Sequence, residues 1–322
     1  MILFALLIGS VYGYVSVKGQ FCMNSGFSNV IRQKDTTKLK SFAIAILLQM
    51  MVLPLLFTIL YSYEPTKNMI VAIGLPPLFI IGSAVGGFLF GIFMYYTAGC
   101  GAGIFYKIGE KNSGAIIAAI GFTLGIYLTE KGLLKIIREL SQDSMVVQQQ
   151  PIWKENTGML IAVFVSLITG FLLFLVLKRK DKQPNGAVWG WKKTGLVVGS
   201  IGIIGWIFAL LAESSYGMAI IPGVLDAVAL NYSWGLLFVF GIVLGAFYST
   251  RKDQSKRFLI PKKEIIFKRF FGGIGLGASG SIAAGCTVGH GLTFAPLLGI
   301  GSIIVTFFIF LGSGLVGYLT KK

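Results

Sequence analysis

Gly86-Gly87-x3-Gly91-x6-Ala98-Gly99-Cys100-x2-Gly103 returns without a gap, late in the chain, as Gly272-Gly273-x3-Gly277-x6-Ala284-Gly285-Cys286-x2-Gly289. Glycine is abundant, at 43 residues, so glycine-on-glycine matches come cheaply. The cysteine match does not, because the chain has only three cysteines. A duplicated apolar segment broken by glycines is how an inverted-repeat membrane fold builds a central site from two halves.

Everything around the frame is apolar. Of 322 residues, 55% are hydrophobic and 12% charged, with a mean hydropathy of +0.81. A soluble domain carries about 25% charged residues, and runs of ~17–25 apolar residues read as membrane spans. Such runs fall at 1–17, 41–62, 69–97, 113–128, 157–177, 195–212, 232–249, 269–290 and 292–317. We therefore expect an all-α polytopic membrane protein of about nine transmembrane helices. Pro76-Pro77 breaks the third run, because a proline pair ends or kinks a helix. The first run has no basic leader and reads as a retained span rather than a signal peptide.

The net charge of +16 follows from the loops. Of the 28 Lys and Arg, all but Lys67, Lys131, Lys135, Arg138 and Lys154 fall in the alternate loops 18–40, 98–112, 178–194 and 250–268 and the tail after 317, or at their edge. By the positive-inside rule the N-terminus lies outside and the C-terminus inside. The third and eighth spans then cross in opposite directions, which predicts an inverted-topology repeat. Residues 1–128 and 195–322 are the expected halves, with 129–194 holding an outer helix, a linking span and a cytoplasmic loop. The whole chain reads as one membrane domain. Nucleic-acid binding is excluded, because the basic residues form no arm interleaved with aromatics.

Residues 129–143, TEKGLLKIIRELSQD, read as an amphipathic helix on the outer face. It either covers the bundle or forms a cationic apron that gathers anions.

Cysteine usage excludes several chemistries. There is no C-x-x-C and no Cys/His cluster, so zinc, iron–sulfur and haem have no support and no cofactor is expected. One histidine cannot build a metal site. There is no G-x4-G-K-[ST] loop for nucleotide-driven pumping and no Ser/His/Asp order, so we expect no enzyme. Cys22, Cys100 and Cys286 all flank glycines at chain breaks, where a thiol can donate a weak S–H bond or act as a thiolate. Re-entrant backbone at such breaks survives at membrane depth only when it is buried or lines a cavity. If the Gly-Cys-x2-Gly element ends one half-helix and starts another, its free N–H groups favour an anion. Asn24, Gly99, Gly101, Gly285, Thr287, Gly289 and His290 are the supporting residues. His290 either tunes a nearby thiol or packs. No Lys or Arg falls within an apolar run, apart from Arg269 at one rim.

Phe21-Cys22-Met23-Asn24-Ser25-Gly26-Phe27 and Gly285-Cys286-Thr287-Val288-Gly289-His290-Gly291 resemble the YeeE/YedE family, the sulphur-transport-domain proteins of the bacterial cytoplasmic (inner) membrane. The resemblance runs essentially the full length. Family copies often have glycine where Ala98 and Ala284 stand. The resemblance implies uptake of a small sulfur oxyanion, thiosulfate above all, along a path lined by Cys22, Cys100 and Cys286. It also implies a cytoplasmic TusA-like sulfurtransferase as partner. A membrane sulfurtransferase forming cysteine persulfides, a carrier of a selenium compound and a passive channel remain alternatives.

Overall fold

The computed structural model describes residues 2–321, apart from 72, 144, 156, 185, 186, 219, 254–257, 259 and 260; at 65 it describes the backbone alone. Lys256 and Arg257 of the expected basic loop 250–268 thus lie outside the described residues.

Among the described residues, six segments are long and apolar enough to cross a membrane. They are α3 (Thr37–Ser62), the broken run Gly82–Gly109, α7 (Ser113–Glu130), α9 (Gly158–Leu177), α10 (Trp191–Leu211) and α14 (Ile300–Leu319). The chain is a polytopic helical membrane protein. The expected count of nine is not reproduced as nine full-length spans. Helix α1 (Phe4–Gly19) has 16 residues, α12 (Trp234–Thr250) is apolar but short, and α13 (Lys263–Ile282) begins with Lys263, Glu264, Lys268 and Arg269 in helix.

Three boundaries move for physical reasons. The expected span 69–97 divides, because Pro76 and Pro77 forbid helix: α4 (Glu64–Val71) stops short, and helix resumes as a π turn (Gly82–Gly86) running into α5 (Gly87–Thr97). The expected span 269–290 ends at Ile282, and a separate π turn (Val288–Phe294) follows Cys286 before α14 starts. Residues 98–112, expected as a loop, contain the helix α6 (Gly101–Gly109). The remaining helices are α2 (Met23–Arg32), α8 (Lys135–Asp143) and α11 (Ile221–Val228). Among the described residues the one sheet pairs Leu78 with Val147 and Phe79 with Val146.

The helices pair as two related sets. Helix α1 lies along α12, and α10 along α3; α5 lies along α14, and α13 along α7. The contact points correspond as well. A Cβ on Gly9 or Gly13 of α1 would come within 2.2 or 2.1 Å of the carbonyl oxygens of Phe238 and Ile242. At the equivalent positions of the second half, Gly195 and Gly199 of α10 press on Ser41 and Ala45 of α3. Likewise Gly91 meets the Ile309 carbonyl at 2.3 Å, and its mate Gly277 meets that of Phe122 at 2.2 Å. Such small-residue seams let backbones touch where lipid offers no hydrophobic drive.

The related helices also meet each other, and they do so antiparallel. Phe4 of α1 stacks on Phe208 of α10 at 4.3 Å, while at the other end Gly19 sits against Thr194. Gly86, just before α5, abuts Ala283 at the end of α13, and Gly272 of α13 abuts Tyr96 of α5. The two sets therefore run in opposite directions, which is the geometry of an inverted repeat.

Cations gather at one end of the bundle over an aromatic belt: Lys18 on Tyr14, Lys193 on Trp189, Arg251 on Tyr248 and Lys268 on Tyr95. This end is the basic face. At the opposite face α8 and the turn before it point Leu133, Ile136 and Leu140 outward, 90%, 67% and 71% exposed. The one buried side chain of α8, Gln142, donates to the terminal carbonyls of α13 at Ser281 (3.0 Å) and Ile282 (3.1 Å).

Candidate functional site

All three cysteines are buried and unpaired, and they belong to one hydrophobic cluster at the centre of the bundle. Each is reached the same way. A helix ends, a non-glycine residue turns left-handed, and the cysteine follows two positions later. The turning residues are Gln20 (φ 48°) after α1, Ala98 (φ 53°) after α5 and Ala284 (φ 58°) after α13. This conformation costs an L-residue ~1–2 kcal/mol, and strain of this kind collects at functional sites.

Cys22 caps the start of α2 and Cys100 the start of α6. The Cys100 sulfur accepts the Gly103 N–H at 3.4 Å. A Cβ on Gly101 would lie 3.6 Å from the Cβ of Cys286 and 3.3 Å from Ile220. The two frames thus meet where α6 begins, with its first amide groups free of helical partners. Cys100 lies within electrostatic reach of both Cys22 and Cys286. Tyr12 of α1, 2% exposed, lies within reach of all three.

The supporting residues divide. Gly99 is buried, and its carbonyl accepts the Thr97 hydroxyl at 2.8 Å. Thr287 is fully buried with its hydroxyl 4.0 Å from the Met94 sulfur. Gly285 admits no side chain, since a Cβ would fall 2.5 Å from His290 Nε2. Around Gly289 a Cβ would meet nothing within 4 Å, so this residue borders open space next to Cys286. Asn24 acts through its main chain: its carbonyl accepts from the hydroxyls of Ser28 (2.8 Å) and Ser313 (3.5 Å).

His290 is held away from the thiols. Its Nε2 lies 2.9 Å from the Ala283 carbonyl and its Nδ1 3.0 Å from the Ser302 hydroxyl. A carbonyl only accepts, so Nε2 carries the proton and Nδ1 receives the serine's. With both nitrogens engaged, the ring pins the end of α13 to the start of α14.

Sequence reasoning missed the polar side chains on the basic side of Cys100. No lysine enters an apolar run, yet two from the connections between runs reach the bundle. Lys107, in the last turn of α6, is half-buried and donates to the Ala98 carbonyl. Lys38, in the first turn of α3, is half-buried and donates to Ser25 Oγ at 3.0 Å. Both act on Cys22 electrostatically. Lys107 falls in the segment expected as a basic loop. The available signal was the unbroken run Gly101-Ala-Gly-Ile-Phe-Tyr behind a helix-starting cysteine, which carries its lone lysine into the bundle.

A polytopic inverted-repeat fold with a buried polar break at its centre defines a membrane transport protein. The chain belongs to the sulphur transport family, whose pattern matches residues 18–315. It is similar to the thiosulfate transporter TsuA of Spirochaeta thermophila, with 26% identity covering 99% of both chains. It is likewise 26% identical to the thiosulfate transporter TsuA of Escherichia coli, over 92% of this chain and 88% of that one.

Proposed function

We propose that the protein imports a small sulfur oxyanion, thiosulfate foremost, across the bacterial inner membrane along Cys286, Cys100 and Cys22. The observation that carries this is three buried, unpaired thiols in one cluster, each just after a left-handed helix break. The basic face is placed in the cytoplasm by the positive-inside rule, with the N-terminus outside and the C-terminus inside. The repeat halves 1–128 and 195–322 serve as the two sides of the path, and 129–194 joins them.

Thiosulfate is a dianion with a soft terminal sulfur. Thiols meet that sulfur by weak S–H contacts, while amides at the start of α6 meet the oxygens. No covalent bond forms, so the protein acts as a carrier and not as an enzyme. Weak holding suits passage, because a conducting site must also release. Gly289 leaves the approach to Cys286 open, and Thr287, Gly99, Gly101, Gly285 and His290 shape the breaks.

An inside-negative potential of ~100 mV opposes each entering negative charge by ~2.3 kcal/mol, and a dianion by ~4.6 kcal/mol. Consumption inside, by a TusA-like sulfurtransferase at the basic face, supplies the pull. The test uses purified protein in proteoliposomes and thiosulfate labelled on both sulfurs, beside sulfate, sulfite and selenite. Intact doubly labelled thiosulfate should accumulate with saturable kinetics, and Cys100→Ala and Cys286→Ala should abolish it. Full uptake by all three cysteine-to-alanine variants would sink the thiol path. A persulfide mass shift on a cysteine, with only one label inside, would replace transport by sulfur transfer. Preference for selenite would replace the substrate.

A further inference from the structure

We propose that a second anion site lies on the basic side of Cys100, built from the hydroxyls of Tyr106 and Ser16, the Cys22 thiol and the Lys107 ammonium. Its occupant is the divalent oxyanion that the path carries, so the proposal rests on the transport reading and deepens it.

Two buried hydroxyls carry it. Tyr106 is 1% exposed and Ser16 fully buried, and neither side-chain oxygen has a hydrogen-bond partner. Natural interiors rarely leave such groups unmet, because a dry unpaired hydroxyl forfeits its bonds to water. Both stand beside the path. A Cβ on Gly103 would lie 3.4 Å from the Cys100 sulfur and 4.0 Å from the Tyr106 ring. The Tyr106 hydroxyl lies beside the Cys22 thiol, its one polar neighbour of note, without reaching good hydrogen-bond geometry. Ser16 sits one helical turn from Tyr12 on α1 with its hydroxyl beside the Tyr12 phenol, short of good hydrogen-bond geometry, and its carbonyl receives the Phe21 N–H at 2.9 Å, immediately before Cys22.

The cation is poised to receive charge. An ammonium has three N–H donors. Lys107 spends one on the Ala98 carbonyl, and two remain for an anion. Lys38 adds a second positive charge within reach of Cys22. Glu110 at the end of α6 is the carboxylate whose charge reaches Tyr106 and Lys38.

The other half has no such set. At the equivalent positions of the second frame, Tyr106 is replaced by Leu292 and Lys107 by Thr293. The Thr293 hydroxyl is spent on the Met218 carbonyl at 2.8 Å. The site is therefore one-sided on a symmetric scaffold. It lies where an entering dianion has climbed most of the opposing potential and needs a positive partner most.

The experiment is uptake by the full chain in proteoliposomes with radiolabelled thiosulfate. Tyr106→Phe removes only the hydroxyl, whose one polar neighbour is the weak Cys22 thiol, so melting should change little. Its KM should rise about tenfold, or about 1.4 kcal/mol. Ser16→Ala should act in the same direction, and Lys107→Met more strongly, with Lys107→Arg recovering part of the loss. KM within about twofold of wild type for both Tyr106→Phe and Ser16→Ala overturns the site. If Cys100→Ala still abolishes uptake in that case, the transport reading stands alone. Should the wild type carry sulfite or selenite instead, a raised KM of Tyr106→Phe for that anion supports the site while the thiosulfate assignment falls. Transport of none of these anions overturns both.

Discussion

Gly91→Ala and Gly277→Ala form a matched pair that tests the inverted repeat itself. A Cβ on Gly91 of α5 would lie 2.3 Å from the Ile309 carbonyl oxygen of α14, and one on Gly277 of α13 would lie 2.2 Å from that of Phe122 on α7. Ordinary contact begins at 3.4 Å, so both methyls fall well inside it. The obstructing atom is backbone in both cases and cannot rotate away. Each helix pair must open by about an ångström, and a gap of about 0.5–1 Å already forfeits a quarter to a half of each dispersion contact across it. Overpacking of this kind costs about 1–3 kcal/mol, and rigid backbone places both variants near the top of that range. Because the two sites are equivalent, their losses should agree within ~0.5 kcal/mol. Thermal melting of purified protein in detergent should drop by roughly 3–5 °C for each. Gly289→Ala is the control: its new methyl meets nothing within 4 Å, and melting should hold. Wild-type melting of either packed-glycine variant, or a large penalty in one and none in the other, would refute the equivalence of α5/α14 with α13/α7.

Further outcomes follow from single residues. Gly289→Leu should fold normally yet lose most uptake, because the side chain enters the open space beside Cys286; unchanged uptake would place the path elsewhere. Ala98→Gly and Ala284→Gly should melt at or above the wild-type temperature, since release of ~1–2 kcal/mol of left-handed strain outweighs the ~0.5–1 kcal/mol entropy cost of glycine. His290→Leu should cost about 2–4 kcal/mol by orphaning the Ala283 carbonyl and the Ser302 hydroxyl, read as a fall in melting temperature that His290→Gln partly restores. Asp35 lies in the turn before α3. Burial raises its pKa, but hydrogen bonds from the Thr37 N–H and hydroxyl outweigh this and hold it below the usual aspartate value. The stability it contributes is complete above that ordinary value and is lost as pH falls through the lowered one. Melting of Asp35→Ala should therefore be less acid-sensitive than wild type below about pH 4.

The candidate site was legible mainly where a rare residue marked a common frame. The glycine frames alone predicted close helix packing and nothing more; Cys100 and Cys286 made them a pair, and the loop cations gave the pair its opposed directions. Cys22 was found the same way, from its glycine-flanked motif. The reading of 98–112 as a basic loop failed because a lysine count does not distinguish a solvated loop from a short helix entering the bundle. His290 was open between tuning a thiol and packing, and only its two hydrogen bonds decided.

By itself the sequence determined the membrane class, the repeat, the candidate cysteines and the asymmetry that gives Cys22 no cysteine counterpart. These depend on composition, spacing and identity, which are local along the chain. Tertiary structure alone decided where α13 ends, that the three thiols are buried in one cluster with the start of α6 against Cys286, and that Tyr106, Ser16 and Lys107 are drawn into the bundle on α6 and α1. It also decided that the repeats pair antiparallel through glycine seams. Those outcomes depend on which backbones can approach within van der Waals distance across the bundle. In a chain this apolar, every span looks alike until the seams fix its neighbours.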